Sequence, residues 1–149
     1  MKIAVLERNS VGTDIDVTCF EDFGEVTYYR NTVAADAAEK VKDVDIIIAN
    51  KAPMNEETLK DAPNVKLICE FATGFDNIDL EYCKKRRIKV ANVKDYSTAA
   101  VAQHTFALAL YLLEHLPHYD TYVKDGSYGA QDRFSNLDLP FTELAGKTW

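Results

Sequence analysis

Short apolar runs alternate with amphipathic segments along most of this chain. The runs are rich in Ile, Val, Leu and Tyr, which is typical of strands in a buried sheet. They cover residues 2–7, 25–29, 45–50, 67–72 and 88–93. Between them, apolar spacing and capping residues predict helices over 33–42, 56–62 and 80–87, with Thr32, Asn55 and Asp79 as N-caps. Residues 8–24 predict only a poorly marked short helix that ends at Gly24.

This alternation of strands and helices predicts an α/β fold built on a parallel, doubly wound sheet. Right-handed crossovers leave few topologies, and we expect the flavodoxin-like five-stranded order 2-1-3-4-5. The carboxyl ends of parallel strands meet at one edge of such a sheet. Three loops are therefore expected side by side, at residues 7–12, 50–54 and 73–77.

The longest predicted helix follows the last strand, at residues 97–116, with Pro117 just past its end. Residues 106–113 are apolar on every side, so the helix must be covered on more than one face. The cover is either the chain's own sheet or a second copy of the chain, a homodimer through Ser97–Leu116. Residues 117–149 show no clear period and are expected to form an irregular arm. The predicted domains are thus 1–96, the helix at 97–116, and the arm.

Composition restricts the partners of this domain. The chain has 149 residues, 47% of them hydrophobic, and a formal net charge of −7. That charge disfavours nucleic acid and an anionic membrane surface. Three cysteines without a C-x-x-C motif, and an N-terminus without a hydrophobic signal segment, favour a cytoplasmic protein.

The loop after the fourth predicted strand carries the most informative sequence, Ala-Thr-Gly-Phe-Asp-Asn-Ile-Asp at residues 72–79. A strand here runs through a glycine turn into a helix start. Such a junction presents free backbone N–H groups, which favour a small anion. Asp76 and Asn77 are expected to tie the turn to itself.

This loop resembles the G-x-D-N-I-D loop of the D-isomer-specific 2-hydroxyacid dehydrogenases. Ala91-Asn92-Val93 and Val101-Ala102-Gln103-His104 are similar to later pieces of the same family. The final Gly146-Lys147-Thr148-Trp149 resembles the family's entry into its nucleotide-binding domain. The resemblance spans the chain in order and implies the N-terminal, substrate-binding domain of such an enzyme.

The resemblance also implies a site. In the family, the backbone around the loop glycine holds the substrate carboxylate, which corresponds here to Gly74 with Thr73 and Phe75. Lys51 follows the third predicted strand, in a loop that faces the same cleft in the family, where a cation pairs with the carboxylate. The implied ligand is a small 2-keto or 2-hydroxy acid.

No G-x-G-x-x-G motif occurs in these 149 residues. In the family, NAD and the catalytic Arg, Glu and His belong to the part beyond Trp149. We therefore expect no catalytic residue and no cofactor in this chain. A metal site is not expected either, because His115 and His118 flank Pro117 without a third ligand.

Two functions follow. The first is a substrate-binding domain fragment of an NAD-dependent D-2-hydroxyacid dehydrogenase, inactive by itself. The alternative is a stand-alone module of the same fold that binds a small carboxylate or a protein without catalysis. A flavodoxin that binds FMN is disfavoured, because residues 8–13 resemble a phosphate loop only faintly.

Overall fold

Five parallel strands form the sheet of the first of two structural units. The computed structural model describes residues 1–148, so Trp149 of the Gly-Lys-Thr-Trp motif lies outside the described residues. The first unit is Met1–Tyr96, and the second begins at Ser97. The strands are β1 (Lys2–Val5), β2 (Glu25–Tyr28), β3 (Ile46–Ala49), β4 (Leu67–Glu70) and β5 (Lys89–Ala91). Their order, β2-β1-β3-β4-β5, confirms the predicted topology.

The strands are shorter than the apolar runs that predicted them. Ile3, Ala4 and Val5 of β1 pair with the three consecutive isoleucines of β3, and this register places the most apolar segments at the centre of the sheet. The runs continue past the strands at their carboxyl ends, where the chain leaves the sheet and forms loops. The last residues of each run, including Glu7, therefore belong to the edge where the site is expected.

Three helices of this unit pack on one face of the sheet. They are α1 (Ala34–Val41), α2 (Glu56–Leu59) and α3 (Leu80–Arg86), and each contributes a buried side chain to a common core: Val41, Leu59 and Cys83. Ile47 and Ile68 supply the sheet side of that core. On the other face, Ile3, Val5 and Ile48 form a smaller cluster, against which Phe20 of the 3₁₀ helix Thr18–Phe23 packs.

Two of the three predicted caps are confirmed. The side chains of Asn55 and Asp79 accept hydrogen bonds from the backbone N–H groups of Thr58 and Tyr82, at 3.1 and 2.9 Å. The third cap is wrong: the Thr32 hydroxyl donates to the carbonyl of Leu6 at 2.6 Å. Val33 instead precedes α1, and its own N–H donates to the Asp36 carboxylate at 2.9 Å.

The second unit contains more helix than the sequence predicted. Its helices are α4 (Thr98–Leu113), α5 (Leu116–Lys124) and α6 (Ser127–Ala130). The predicted irregular arm is therefore wrong for α5 and α6. Pro117 lies in the first turn of α5, where a missing N–H costs no helical hydrogen bond, and the left-handed residue His115 separates α4 from α5.

No residue of α4 is buried. Its apolar side chains remain substantially exposed, as at Leu112 with an exposed fraction of 69%. Across residues 1–148, no helix combines the length and apolar character that crossing a bilayer would require.

Candidate functional site

A buried carboxylate organises the loop that follows β3. Glu7, just past the end of β1, is only 6% exposed. One of its oxygens accepts the N–H of Asn50 at 2.6 Å, and the other accepts those of Lys51 and Ala52 at 2.9 and 2.8 Å. Three consecutive backbone amides thus satisfy one acid, and the bonds fix this loop against the end of β1.

The loop that follows β4 is joined to the same structure. The Met54 N–H donates to the Asn77 carbonyl at 2.8 Å, and the Asp79 N–H donates to the Met54 carbonyl at 2.9 Å. The Asn77 side-chain amide donates to the Ala52 carbonyl at 3.0 Å. Asn77 therefore links two loops, whereas the sequence interpretation had confined it to its own turn. The predicted gathering of the strand-end loops is confirmed.

Three consecutive amides of the β4 loop have no protein acceptor. Thr73, Gly74 and Phe75 are exposed, and within residues 1–148 none of their N–H groups donates a hydrogen bond. Other groups hold the loop in place: the Thr73 carbonyl accepts from the Asn92 side chain at 2.8 Å, and the Phe75 carbonyl accepts from the Ile78 N–H at 3.0 Å. The three donors remain available for a ligand.

The glycine at the centre of this loop is not required by the fold. A Cβ atom added at Gly74 would meet no protein atom within 4 Å. The backbone there also avoids the left-handed conformation that disfavours other residues. A side chain at this position would therefore begin in open space.

Only the side chain of Lys51 is available to contact a ligand. Its backbone N–H already donates to Glu7, so the exposed ammonium is the group left for a ligand. The positive charge of Lys51 also lowers the pKa of the Glu70 carboxyl, which ends β4. Lys51 therefore acts on the carboxyl group at the base of the Thr73–Phe75 loop.

Glu70 is the second buried acid of this edge, with an exposed fraction of 2%. Burial raises its pKa to about 7. The Asn77 side chain opposes that rise by donating to one carboxyl oxygen at 3.3 Å, while the negative charge of Glu7 adds to it. The other oxygen has no hydrogen-bond partner among the described residues. Glu70 thus changes its charge near neutral pH.

Sequence reasoning missed both acids as members of the site. The available signal was their position, since Glu7 ends the apolar run at residues 2–7 and Glu70 interrupts the run at residues 67–72. A buried charged residue near the carboxyl end of a strand needs partners at the sheet edge, and such partners lie on neighbouring loops. No group of three or more His, Cys, Asp or Glu side chains within residues 1–148 is placed to hold a metal ion.

Comparison with known proteins identifies the family of this chain. Residues 3–143 match the model of the D-isomer specific 2-hydroxyacid dehydrogenase catalytic domain. The chain belongs to the D-isomer-specific 2-hydroxyacid dehydrogenase family. The sequence resemblance is thereby confirmed, and so is the interpretation that the chain corresponds to the N-terminal part of such enzymes.

Individual members of the family are similar to this chain along nearly its whole length. A hydroxypyruvate reductase of Blautia hydrogenotrophica is 34% identical over 99% of this chain, which covers 47% of that protein. A glycerate dehydrogenase of Methylorubrum extorquens is 31% identical over 99% of the chain and 46% of its own length. The crystal structure of an Aquifex aeolicus D-lactate dehydrogenase with NAD and lactic acid superposes with a TM-score of 0.73 at 29% identity, covering 97% of this chain and 41% of that one. The chain thus spans about half the length of these dehydrogenases.

Replacement of the Glu7 carboxylate tests whether it stabilises the loop after β3. Both oxygens of Glu7 accept backbone N–H groups, so Glu7→Gln places an amide NH₂ against at least one donor. We expect a loss of about 2 to 4 kcal/mol in the free energy of unfolding, measured with urea at neutral pH. The exposed Glu25→Gln should change stability by less than about 0.5 kcal/mol. Equal stability of the two variants would contradict the role given to Glu7.

The raised pKa of Glu70 predicts a pH dependence of stability. A carboxyl group whose pKa is higher when folded stabilises the protein fully below its unfolded pKa of 4.5, and this stability is lost as the pH rises through about 7. The wild-type chain should lose about 3 kcal/mol more than Glu70→Gln between about pH 4.5 and about pH 8. Urea unfolding of both proteins, with the exposed Glu57→Gln as control, measures this difference. Parallel stability curves for wild type and Glu70→Gln would show that Glu70 does not titrate in this way.

Proposed function

We propose that the loop at residues 73–75 binds the carboxylate of a small 2-oxo or 2-hydroxy acid, as the substrate-binding part of an NAD-dependent dehydrogenase. The observation that carries this proposal is the set of three consecutive amides, on Thr73, Gly74 and Phe75, without a protein acceptor. They follow β4, at the carboxyl edge of the parallel sheet. This is the edge at which proteins of this fold class usually bind ligands.

The neighbouring loop supports the choice of a carboxylate. There, the amides of residues 50–52 hold the Glu7 carboxylate at 2.6 to 2.9 Å. The same chemistry on the β4 loop would accept an external acid of similar size. The formal net charge of −7 repels anions at a distance, so local donors and the Lys51 ammonium must supply the attraction.

The rest of the reaction falls to groups outside this chain. Hydride transfer needs a nicotinamide held against the substrate carbon and a proton donor near its oxygen. The sequence contains no G-x-G-x-x-G motif. We infer that NAD and the catalytic Arg, Glu and His lie in the part of the relatives that this chain does not cover, so the 149-residue chain alone binds substrate without turnover. We further infer a cytoplasmic location and no nucleic-acid or membrane partner.

Substitution of the loop glycine tests the binding site without disturbing the fold. Gly74→Leu adds a side chain whose Cβ atom would meet no protein atom within 4 Å. Binding of glyoxylate or pyruvate, followed by NMR of the ¹⁵N-labelled chain, should weaken about tenfold or more because the side chain occupies the ligand's space. Lys51→Met should weaken binding about tenfold or more through loss of a charge-assisted contact.

Matched controls separate ligand contact from general effects. Gly129 likewise has no protein atom within 4 Å of an added Cβ, and Lys60 is an exposed lysine that follows α2. Gly129→Leu and Lys60→Met should bind as the wild type does. If millimolar ligand leaves the Thr73–Phe75 amide signals of the wild type unchanged, the proposed site is wrong.

We also propose that the chain forms a homodimer through the helix predicted at Ser97–Leu116, which is α4 in the structure. The supporting observation is that α4 is apolar yet has no buried residue within the chain. Side chains such as Val101 and Leu112, 59% and 69% exposed, would lose contact with water on association. A second copy supplies an apolar surface identical to the first.

A charge placed on α4 tests this dimer. Leu112→Glu should give a monomer because the interface would bury an unpaired carboxylate. Leu137→Glu is the matched control: Leu137 is 70% exposed but lies outside the helices, so this variant should remain dimeric. Light scattering at increasing concentration measures both masses. A wild-type chain that stays monomeric at high concentration would refute the dimer.

A further inference from the structure

Glu70 closes the base of the loop that carries the three available amides. It is the last residue of β4, and its carboxyl oxygen accepts from the side-chain amide of Asn77, seven positions later, at 3.3 Å. Thr73, Gly74 and Phe75 lie between these two residues. Any change in the Glu70–Asn77 contact therefore acts on the ends of the segment that would hold a ligand.

Asn77 extends the effect of Glu70 to the second loop. Its side-chain amide also donates to the Ala52 carbonyl at 3.0 Å, and its carbonyl accepts from Met54 at 2.8 Å. The two N–H bonds of this NH₂ group thus serve a neutral carbonyl and the Glu70 carboxyl. A charged carboxylate attracts its donor more strongly than a neutral acid does, so the bond to Glu70 depends on the state of Glu70.

Few other charges act at this position. Glu7 faces Glu70 from the end of β1 with a negative charge, and Lys51 faces it from the loop after β3 with a positive one. On β5, the charged Lys89 pairs with the opposite end of β4. Cys83 of α3 lies in the core beside β4, and burial raises the pKa of its thiol, which keeps it neutral near pH 7. The state of Glu70 therefore decides the net charge beneath the loop.

The two states of Glu70 have different consequences for an anion. In the neutral state, Glu70 does not offset the positive charge of Lys51, and the Glu7 carboxylate is already bound by three amides. In the ionised state, Lys51 faces a second buried carboxylate, and its attraction for an external acid falls. The added negative charge also repels that acid directly, with little screening by water because Glu70 is buried.

We propose that Glu70 is a positioning residue for the acid-binding loop: its neutral form supports capture of a 2-oxo acid, and loss of its proton weakens that capture. This rests on the proposed function of the Thr73–Phe75 amides. Glu70 acts through Asn77 and Lys51 and does not touch the ligand. Its pKa of about 7 places the change within the neutral pH range.

The test measures ligand affinity against pH. Glyoxylate and pyruvate remain ionised from about pH 5.5 to about pH 8.5, so a change in affinity over that range belongs to the protein. For the wild type, the dissociation constant from NMR titration should rise about fivefold or more across the range, with its midpoint near pH 7. Glu70→Gln keeps the shape of the neutral acid and should bind at all pH values as the wild type does at low pH. The exposed Glu57→Gln should keep the wild-type profile.

A measurement without ligand separates this inference from the binding proposal. The Asn77 side-chain amide and the Thr73–Phe75 backbone amides of the wild type should titrate together near pH 7, and in Glu70→Gln they should not. Binding that is independent of pH, or an equal pH dependence in Glu70→Gln, overturns the role of Glu70 and leaves the binding site standing. An absence of binding at every pH overturns both proposals, even if the amides titrate.

Discussion

The hydrogen bonds between the Glu7 carboxylate and three backbone amides hold the functional edge of this domain together. Burial of an acid costs several kcal/mol unless its oxygens are satisfied, and here each oxygen accepts at least one N–H group. The bonds fix the loop after β3, which then supports the loop after β4 through Met54 and Asn77. The order of the loop after β4 therefore depends in part on an acid that follows β1.

Glu7 and Glu70 show how environment gives one residue type two roles. Both are buried acids just past, or at, the end of an apolar strand. Three amides satisfy Glu7, whereas Glu70 accepts only the Asn77 side-chain amide and has one oxygen without a partner among residues 1–148. The first acid is structural. Glu70, with a pKa raised to about 7, changes its charge near neutral pH. It lies at the base of the loop that we propose as the site of an anionic ligand.

The sequence predicted the features that depend on local patterns. Apolar runs predicted all five strands, and right-handed crossovers together with the family resemblance predicted their order. The caps Asn55 and Asp79 were predicted because a cap bonds within its own first turn. Thr32 was misassigned because its hydroxyl bonds Leu6, 26 positions away. Pro117 predicted only the end of the preceding helix. A proline just past one helix and a proline in the first turn of the next look alike in sequence. The partners of Glu7 are 43 to 45 positions distant, beyond any local pattern.

At Gly74, selection for folding and selection for ligand binding can be told apart. A Cβ atom there would meet no protein atom within 4 Å, so packing in the folded state does not require glycine at this position. Variants screened only for folding would not need to keep glycine at residue 74. One screened for capture of an acid would return to the smallest residue. The identity of this one residue thus reports on the chemistry of the loop independently of the stability of the domain.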